Sequence, residues 1–124
     1  MEHQKQEIKQ TIQIYVDGYL NAKKELVSKA FYHETRLYSL DEGGIDKTEM
    51  IDWLKNLDER SSRGDVRNAK LEIGFIDITA ETAVAKILLH FEKRTFADYL
   101  SLLKFAGNWV IVGKIYSIEE HKKQ

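Results

Sequence analysis

The chain has 124 residues, 43% of them hydrophobic and 31% charged, with 19 Lys and Arg against 20 Asp and Glu. That length suits one domain with a real core, and the balanced charge lacks the basic excess with which nucleic-acid binders neutralise phosphates. Cysteine and proline are both absent, which excludes disulfide frameworks, thiolate metal sites and cysteine nucleophiles and leaves the turns to Gly, Asn and Asp.

The opening MEHQKQEIKQ is polar, and no apolar window is long enough to span a bilayer. A cytoplasmic protein with no membrane partner is the expectation. From Glu7 to Asn21, Ile8, Ile12, Tyr15 and Tyr19 recur at spacings of four, three and four, with Val16 and Leu20 beside them. That is the apolar stripe of an amphipathic helix, weakened by Gly18, which costs about 1 kcal/mol relative to Ala inside a helix. A second helix is predicted over Lys23 to Phe31, with Leu26, Val27, Ala30 and Phe31 inward. HETRLYSLDEGG reads as a loop, a short strand over Arg36 to Leu40 and a Gly-rich turn. A third helix is predicted from Asp46 to Leu57, with Asp46 as N-cap, Glu49 completing a capping-box-like pair, and Met50, Trp53, Leu54 and Leu57 inward. Asp58 to Asp65 is charged and reads as a loop.

The period then changes to two. AKLEIGFIDIT, TAVAKILLHFEK, TFADYLSLLKFA and NWVIVGKIYSIE follow one another as long strands, with turns at Glu81-Thr82 and Gly107-Asn108. This is an antiparallel meander. Helices followed by strands predict an α+β architecture: three N-terminal helices packed in the concave face of a strongly curved, mixed but mainly antiparallel sheet, a cone-like barrel. The whole chain is expected to form one domain, with its core over residues 7–119. Such a cone leaves a cavity at its open end. Both faces of the last hairpin are apolar, so both must be covered. Helices cover one face, and a second copy of the chain covers the other in a homodimer.

The order I..YVDGYLNAKKELVSKAFYHETRLYS, DKTEMIDWLKNL and DYLSLLKFAGNWVIVGKIY resembles the nuclear transport factor two-like superfamily, and within it the small bacterial proteins described as putative lumazine-binding. The resemblance runs from about Ile8 to Glu119 and implies the cone fold. It leaves the activity open, because the superfamily holds enzymes, binding proteins and assembly modules. Ketosteroid isomerase, a member, sets a tyrosine and a neutral aspartic acid against an enolate oxygen and moves the proton with a second aspartate. Aligned to that pattern, the tyrosine falls on Tyr15, the base on Ser39 and the donor acid on Ser101. One donor is kept and both carboxyls are lost, and a serine is no base without an activating partner.

The alignment also turns Trp53, Ser101, Val112, Lys114 and Tyr116 toward the cavity and Lys104 away from it. The ligand-binding candidates are therefore Tyr15, Tyr19, Phe31, Ser39, Trp53, Leu57, Tyr99, Ser101, Leu103, Val112, Lys114 and Tyr116. Tyr15 is either a donor to a ligand oxygen or a core tyrosine. Trp53 either stacks on a flat ligand or packs helix on sheet. Lys114 either pairs with an acid inside the cavity or reaches water along its stem. His90, in LLHFEK, is the candidate base for an isomerase- or dehydratase-like reaction with Tyr15 as donor. His3, His33, His90 and His121 show no metal-ligand spacing, and DEGGID lacks the features of a phosphate loop; no metal or cofactor is expected. The expectation that follows is a dimeric protein with an aromatic-lined pocket for a small, flat, oxygen-bearing molecule. An enzyme using His90 and Tyr15, and an assembly module with a vestigial pocket, are the alternatives.

Overall fold

A computed structural model describes residues 2–121. Helix α1 (Glu2–Leu20) begins five residues before the predicted start, and buries Ile8, Ile12, Tyr15, Val16, Gly18 and Tyr19 on one stripe. Gly18 is there for contact. A Cβ on it would stand 2.8 Å from Leu26 Cβ and 2.9 Å from the Val27 nitrogen, so its bareness lets helix α2 (Lys24–Ala30) press against α1.

Strands β1 (Arg36–Asp41) and β2 (Gly44–Glu49) form a hairpin, with Leu40 opposite Ile45 and Asp41 opposite Gly44. The predicted helix over Asp46 to Leu57 is corrected here. Asp46 and Glu49 lie in β2, and helix α3 runs from Met50 to Ser62 with no side-chain cap at Glu49. Pairing with β1 takes the would-be cap residues into the sheet, and the charged stretch read as a loop continues the helix instead. Four long strands follow: β3 (Lys70–Thr79), β4 (Thr82–His90), β5 (Arg94–Phe105) and β6 (Asn108–Glu120). The last turn is Ala106-Gly107, both with positive φ (51° and 83°), one residue earlier than expected.

The strands form one sheet in the order β2-β1-β6-β5-β4-β3. Among the strands of the described residues, only the neighbours β1 and β6 run parallel, with Leu37 beside Lys114. The architecture is the expected α+β one: three helices on the concave face of a mixed, mainly antiparallel sheet. Register shifts occur in β3 between Ile73 and Phe75, and in β6, where Leu102 pairs with Ile111 but Ser101 with Gly113. Such bulges bend and twist a strand. The one in β6 also decides which residues enter the cone.

Candidate functional site

Strict alternation along β6 sets Trp109 and Ile111 on the face opposite Lys114. The bulge at Val112 inserts one residue, so Trp109, Ile111 and Lys114 are all buried on the helix side, with half-buried Tyr116 following. Their register partners are Lys104, Leu102, Leu100 and Asp98. The expected orientations of five residues are therefore corrected. Tyr99, Ser101 and Leu103 lie on the outer face of the sheet and are exposed. Val112, in the bulge, lines an outer-face groove with Tyr99 and Ser101. Lys104 faces the helices, its Nζ 3.6 Å from Glu7 Oε1 on α1. A one-residue slip moves every side chain of a strand to the other face, and a period-two reading of sequence cannot detect it.

The residue that takes the place assigned to Ser101 is Asp98. It is 1% exposed and accepts a 2.6 Å hydrogen bond from the Tyr15 hydroxyl at Oδ2. Lys114, 8% exposed, donates to the same hydroxyl at 2.6 Å and lies 3.5 Å from Asp98 Oδ2. The tyrosine oxygen thus bridges an ammonium and a carboxylate. The second oxygen of the carboxylate, Oδ1, is buried with no hydrogen-bond partner among the described residues. The sequence reading of two lost carboxyls is thereby revised: one is present beside Tyr15, three residues before Ser101, and it has Lys114 as counter-ion.

Aromatic rings enclose this cluster. Lys114 Nζ is 4.7 Å from the Trp53 ring centroid, 4.9 Å from Tyr15, 5.0 Å from Tyr116 and 6.0 Å from Tyr19, close enough for cation–π attraction. Phe31 meets Tyr15 and Trp53 edge-on at 5.0 and 5.1 Å. Burial pushes the Lys114 pKa below the usual lysine value, with Asp98 opposing the shift. Burial, reinforced by Asp98, pushes the Tyr15 hydroxyl well above the usual tyrosine value. Tyr15 is therefore protonated with its proton committed to Asp98, and the free function in the cluster is an acceptor, Asp98 Oδ1.

A recess of about 320 Å³ adjoins the cluster, lined by Tyr19, Trp53, Asn56, Leu57, Glu59, Arg60, Arg63 and Arg67. Tyr19 and Trp53 belong to both compartments and form the partition between them. Leu57 is fully packed at 1% exposure. Arg60 donates to the carbonyls of Tyr19 (2.7 Å), Leu20 (3.3 Å) and Asp65 (3.1 Å), which ties α3 to the end of α1. Arg67 donates to the Tyr19 hydroxyl at 3.0 Å. The hydrogen bond from Arg67 holds the Asp65 carboxyl below the usual range.

His90 does not join this site. Along β4, buried Ala83, Ala85, Ile87 and Leu89 alternate with Val84, Lys86, Leu88 and His90. Ile87 is the partner of Asp98, so His90 emerges on the opposite face, where Nε2 meets Glu72 at 2.7 Å. The proposed pairing of His90 as base with Tyr15 as donor is corrected on that ground. Ser39 is half-buried two residues past Leu37 on the same side of β1, outside the Tyr15–Asp98–Lys114 cluster. Sequence reasoning missed Asp98 and the arginines. The signal for Asp98 was present, since the alternation that turns Leu100 and Leu102 inward carries Asp98 with them. The arginines stand in ERSSRGDVR, which reads as a solvated loop.

The profile of the family described as "Putative lumazine-binding" matches residues 3–117. Among curated proteins, none matches the sequence significantly. The fold is similar to that of several solved structures, each described as an NTF2-like protein of unknown function. One from Silicibacter pomeroyi is 15% identical, with a TM-score of 0.84 over 95% of this chain and 98% of that one. One from Shewanella baltica is 22% identical, with a TM-score of 0.82 over 98% and 96%. A third, from Methylobacillus flagellatus, is 22% identical, with a TM-score of 0.78 over 94% and 93%. With its helices in the hollow of a bulged sheet of NTF2-like fold and a family match over nearly its whole length, the chain belongs to the family described as putative lumazine-binding.

Proposed function

We propose that this protein binds a small planar molecule that presents an N–H or O–H donor to Asp98 Oδ1 and stacks on Trp53 and Tyr19. The observation that carries this reading is the buried, unpartnered Asp98 oxygen inside an aromatic enclosure. Buried acceptors without a donor are rare, and each calls for an explanation such as a bound molecule. Aromatic walls with a few convergent polar groups are the usual make-up of a small-molecule site. The Trp53–Tyr19 partition separates the recess from the cluster, so a ligand reaching Asp98 displaces one of these rings, a side-chain adjustment of the kind common on binding. Lumazine, named in the family description, is planar and carries ring N–H donors, one of them between two carbonyls, and is the first probe to use.

Native mass spectrometry of the protein as purified, and again after incubation with lumazine, tests the reading. Uptake of one planar molecule per chain, weakened about tenfold or more by Asp98→Asn, is expected. Failure of lumazine and related bicyclic heterocycles to bind at millimolar concentration would refute it. A second reading, proton transfer by Asp98, rests on the same free oxygen. Turnover by the wild type, with binding but no turnover by Asp98→Asn, would select it.

We further propose that the protein is a cytoplasmic homodimer joined through the outer face of the sheet. Val84, Tyr99, Leu103 and Ile115 are each more than 40% exposed there, and grooves of about 400 and 710 Å³ run between β1 and the last hairpin on that side. An apolar face of this extent suits a self-complementary contact with a second copy. Sedimentation at micromolar concentration is expected to give a dimer, and Ile115→Asp a monomer. A monomeric wild type would refute the proposal.

A further inference from the structure

We infer that the arginine-lined recess is an oxyanion subsite: it takes a carboxylate or phosphate group attached to the planar ligand. This rests on the binding reading above and adds the ligand's charge. Arg60, Arg63 and Arg67 converge on one carboxylate, with Arg60 Nε, an Arg63 Nη and an Arg67 Nη lying 3.4, 3.6 and 3.3 Å from Asp65 Oδ2. Glu59 is the acid in the recess lining, and Asp65, outside that lining, is the second acid beside the arginines. Three guanidiniums against two carboxylates leave one positive charge unmatched.

Arg60 supplies a second observation, the burial of its guanidinium. Its Nη groups are spent on backbone carbonyls, its side chain is 7% exposed, and its buried Nε, 3.4 Å from Asp65 Oδ2, makes no well-formed hydrogen bond among the described residues. A buried guanidinium N–H without a well-formed hydrogen bond gains from a better-placed acceptor, and an oxyanion is the acceptor whose geometry guanidinium groups match.

The same recess shows what the anion must be attached to. The guanidiniums of Arg60 and Arg67 lie 5.1 and 5.8 Å from the Tyr19 ring centroid, and Trp53 forms the adjoining wall, its ring 6.5 Å from that of Tyr19. A planar body against these rings places an attached carboxylate among the arginines. The site thus pairs an acceptor for a donor edge at Asp98 with a cationic end at Arg63, and the two ends together select a planar, donor-bearing anion.

The test compares lumazine with its 6-carboxylate by titration of the full chain, in the wild type and in two variants. Arg63→Ala removes a side chain that is 62% exposed and leaves the ties made by Arg60 intact. Arg67→Lys keeps the charge but loses the fork. The wild type is expected to bind the carboxylate about tenfold or more tightly than lumazine, as one charge-assisted hydrogen bond provides. That preference should shrink at least threefold in Arg63→Ala, and on raising salt from about 50 to 500 mM. Equal affinity for the two probes in the wild type overturns the subsite while leaving the binding reading standing. A preference that survives both variants places the oxyanion elsewhere and also overturns it. If neither probe binds, the binding reading falls, and this inference with it.

Discussion

Replacing Lys114 by Met removes the charge from the cluster while keeping much of the side-chain length. What remains is the Asp98 carboxylate, 1% exposed, holding only the Tyr15 proton at Oδ2, and a Tyr15 oxygen that has lost its 2.6 Å donor. Breaking a buried ion pair by removing one partner costs about 3–5 kcal/mol, because the other charge is left uncompensated. Against a total stability of about 5–15 kcal/mol, the midpoint of thermal unfolding should fall by roughly 10–25 °C for a chain of this length. Asp98→Leu should cost less. The lysine it strands already has its pKa pushed down by burial, and Lys114 can shed its charge by releasing a proton. The double variant Asp98→Leu/Lys114→Met buries no charge, and replacing a buried pair by apolar groups is often close to neutral. Urea unfolding of all four proteins at pH 7 closes the cycle. A favourable coupling of about 1.5 kcal/mol or more between the two positions is expected. Effects that add to within about 0.5 kcal/mol would show that the two side chains do not act as a pair, and the reasoning would fail.

Three further outcomes follow from the same geometry. Stability of Asp98→Leu should rise with pH between the depressed folded value of Lys114 and the unfolded lysine value of about 10.4: in that window the unfolded chain binds more protons than the folded one, so raising pH favours the fold. A flat profile would contradict a buried, depressed Lys114. Gly18→Ala should destabilise by about 1–3 kcal/mol, although helix propensity alone would favour alanine by about 1 kcal/mol, because the new methyl group meets Val27 backbone at 2.9 Å; a raised melting temperature would refute the contact. His90→Ala should leave ligand affinity unchanged and shift stability by less than about 0.5 kcal/mol, since its pair with Glu72 is on the surface, and a loss of binding in titration would put the imidazole back in the site.

Much of the fold could be read from the chain because its signals are periodic. Ile8, Ile12, Tyr15 and Tyr19 define one helical face, and the long two-period runs after Ala69 define the meander. Residues 44–49 could not, because DKTE carries a good helix-start pattern that only pairing with β1 overrides. The site was half legible for a related reason. Tyr15, Tyr19, Phe31, Trp53, Lys114 and Tyr116 do come together around one cluster. Their partner on β5 was misassigned, because the bulge at Val112 breaks the alternation that links Lys114 to the rest of its strand. Asp98 and Ser101 differ by an odd number of positions, so the error moved the expected polar residue through the sheet to its outer face. The arginines needed the three-dimensional return of the chain after Gly64 (φ +68°) to be seen as one group.

The chain's two tryptophans allow the central claim to be tested in one spectrum. Trp53 stands in the partition above Lys114, whereas Trp109 lines a separate groove with Glu7 and Thr11 of α1. In a ¹⁵N–¹H correlation spectrum, titration with lumazine or its 6-carboxylate should move the Trp53 indole N–H signal and the Tyr19 amide while leaving the Trp109 indole in place. An unmoved Trp53 signal at millimolar probe, or movement of Trp109 instead, would contradict a ligand site built on Tyr19, Trp53 and Asp98.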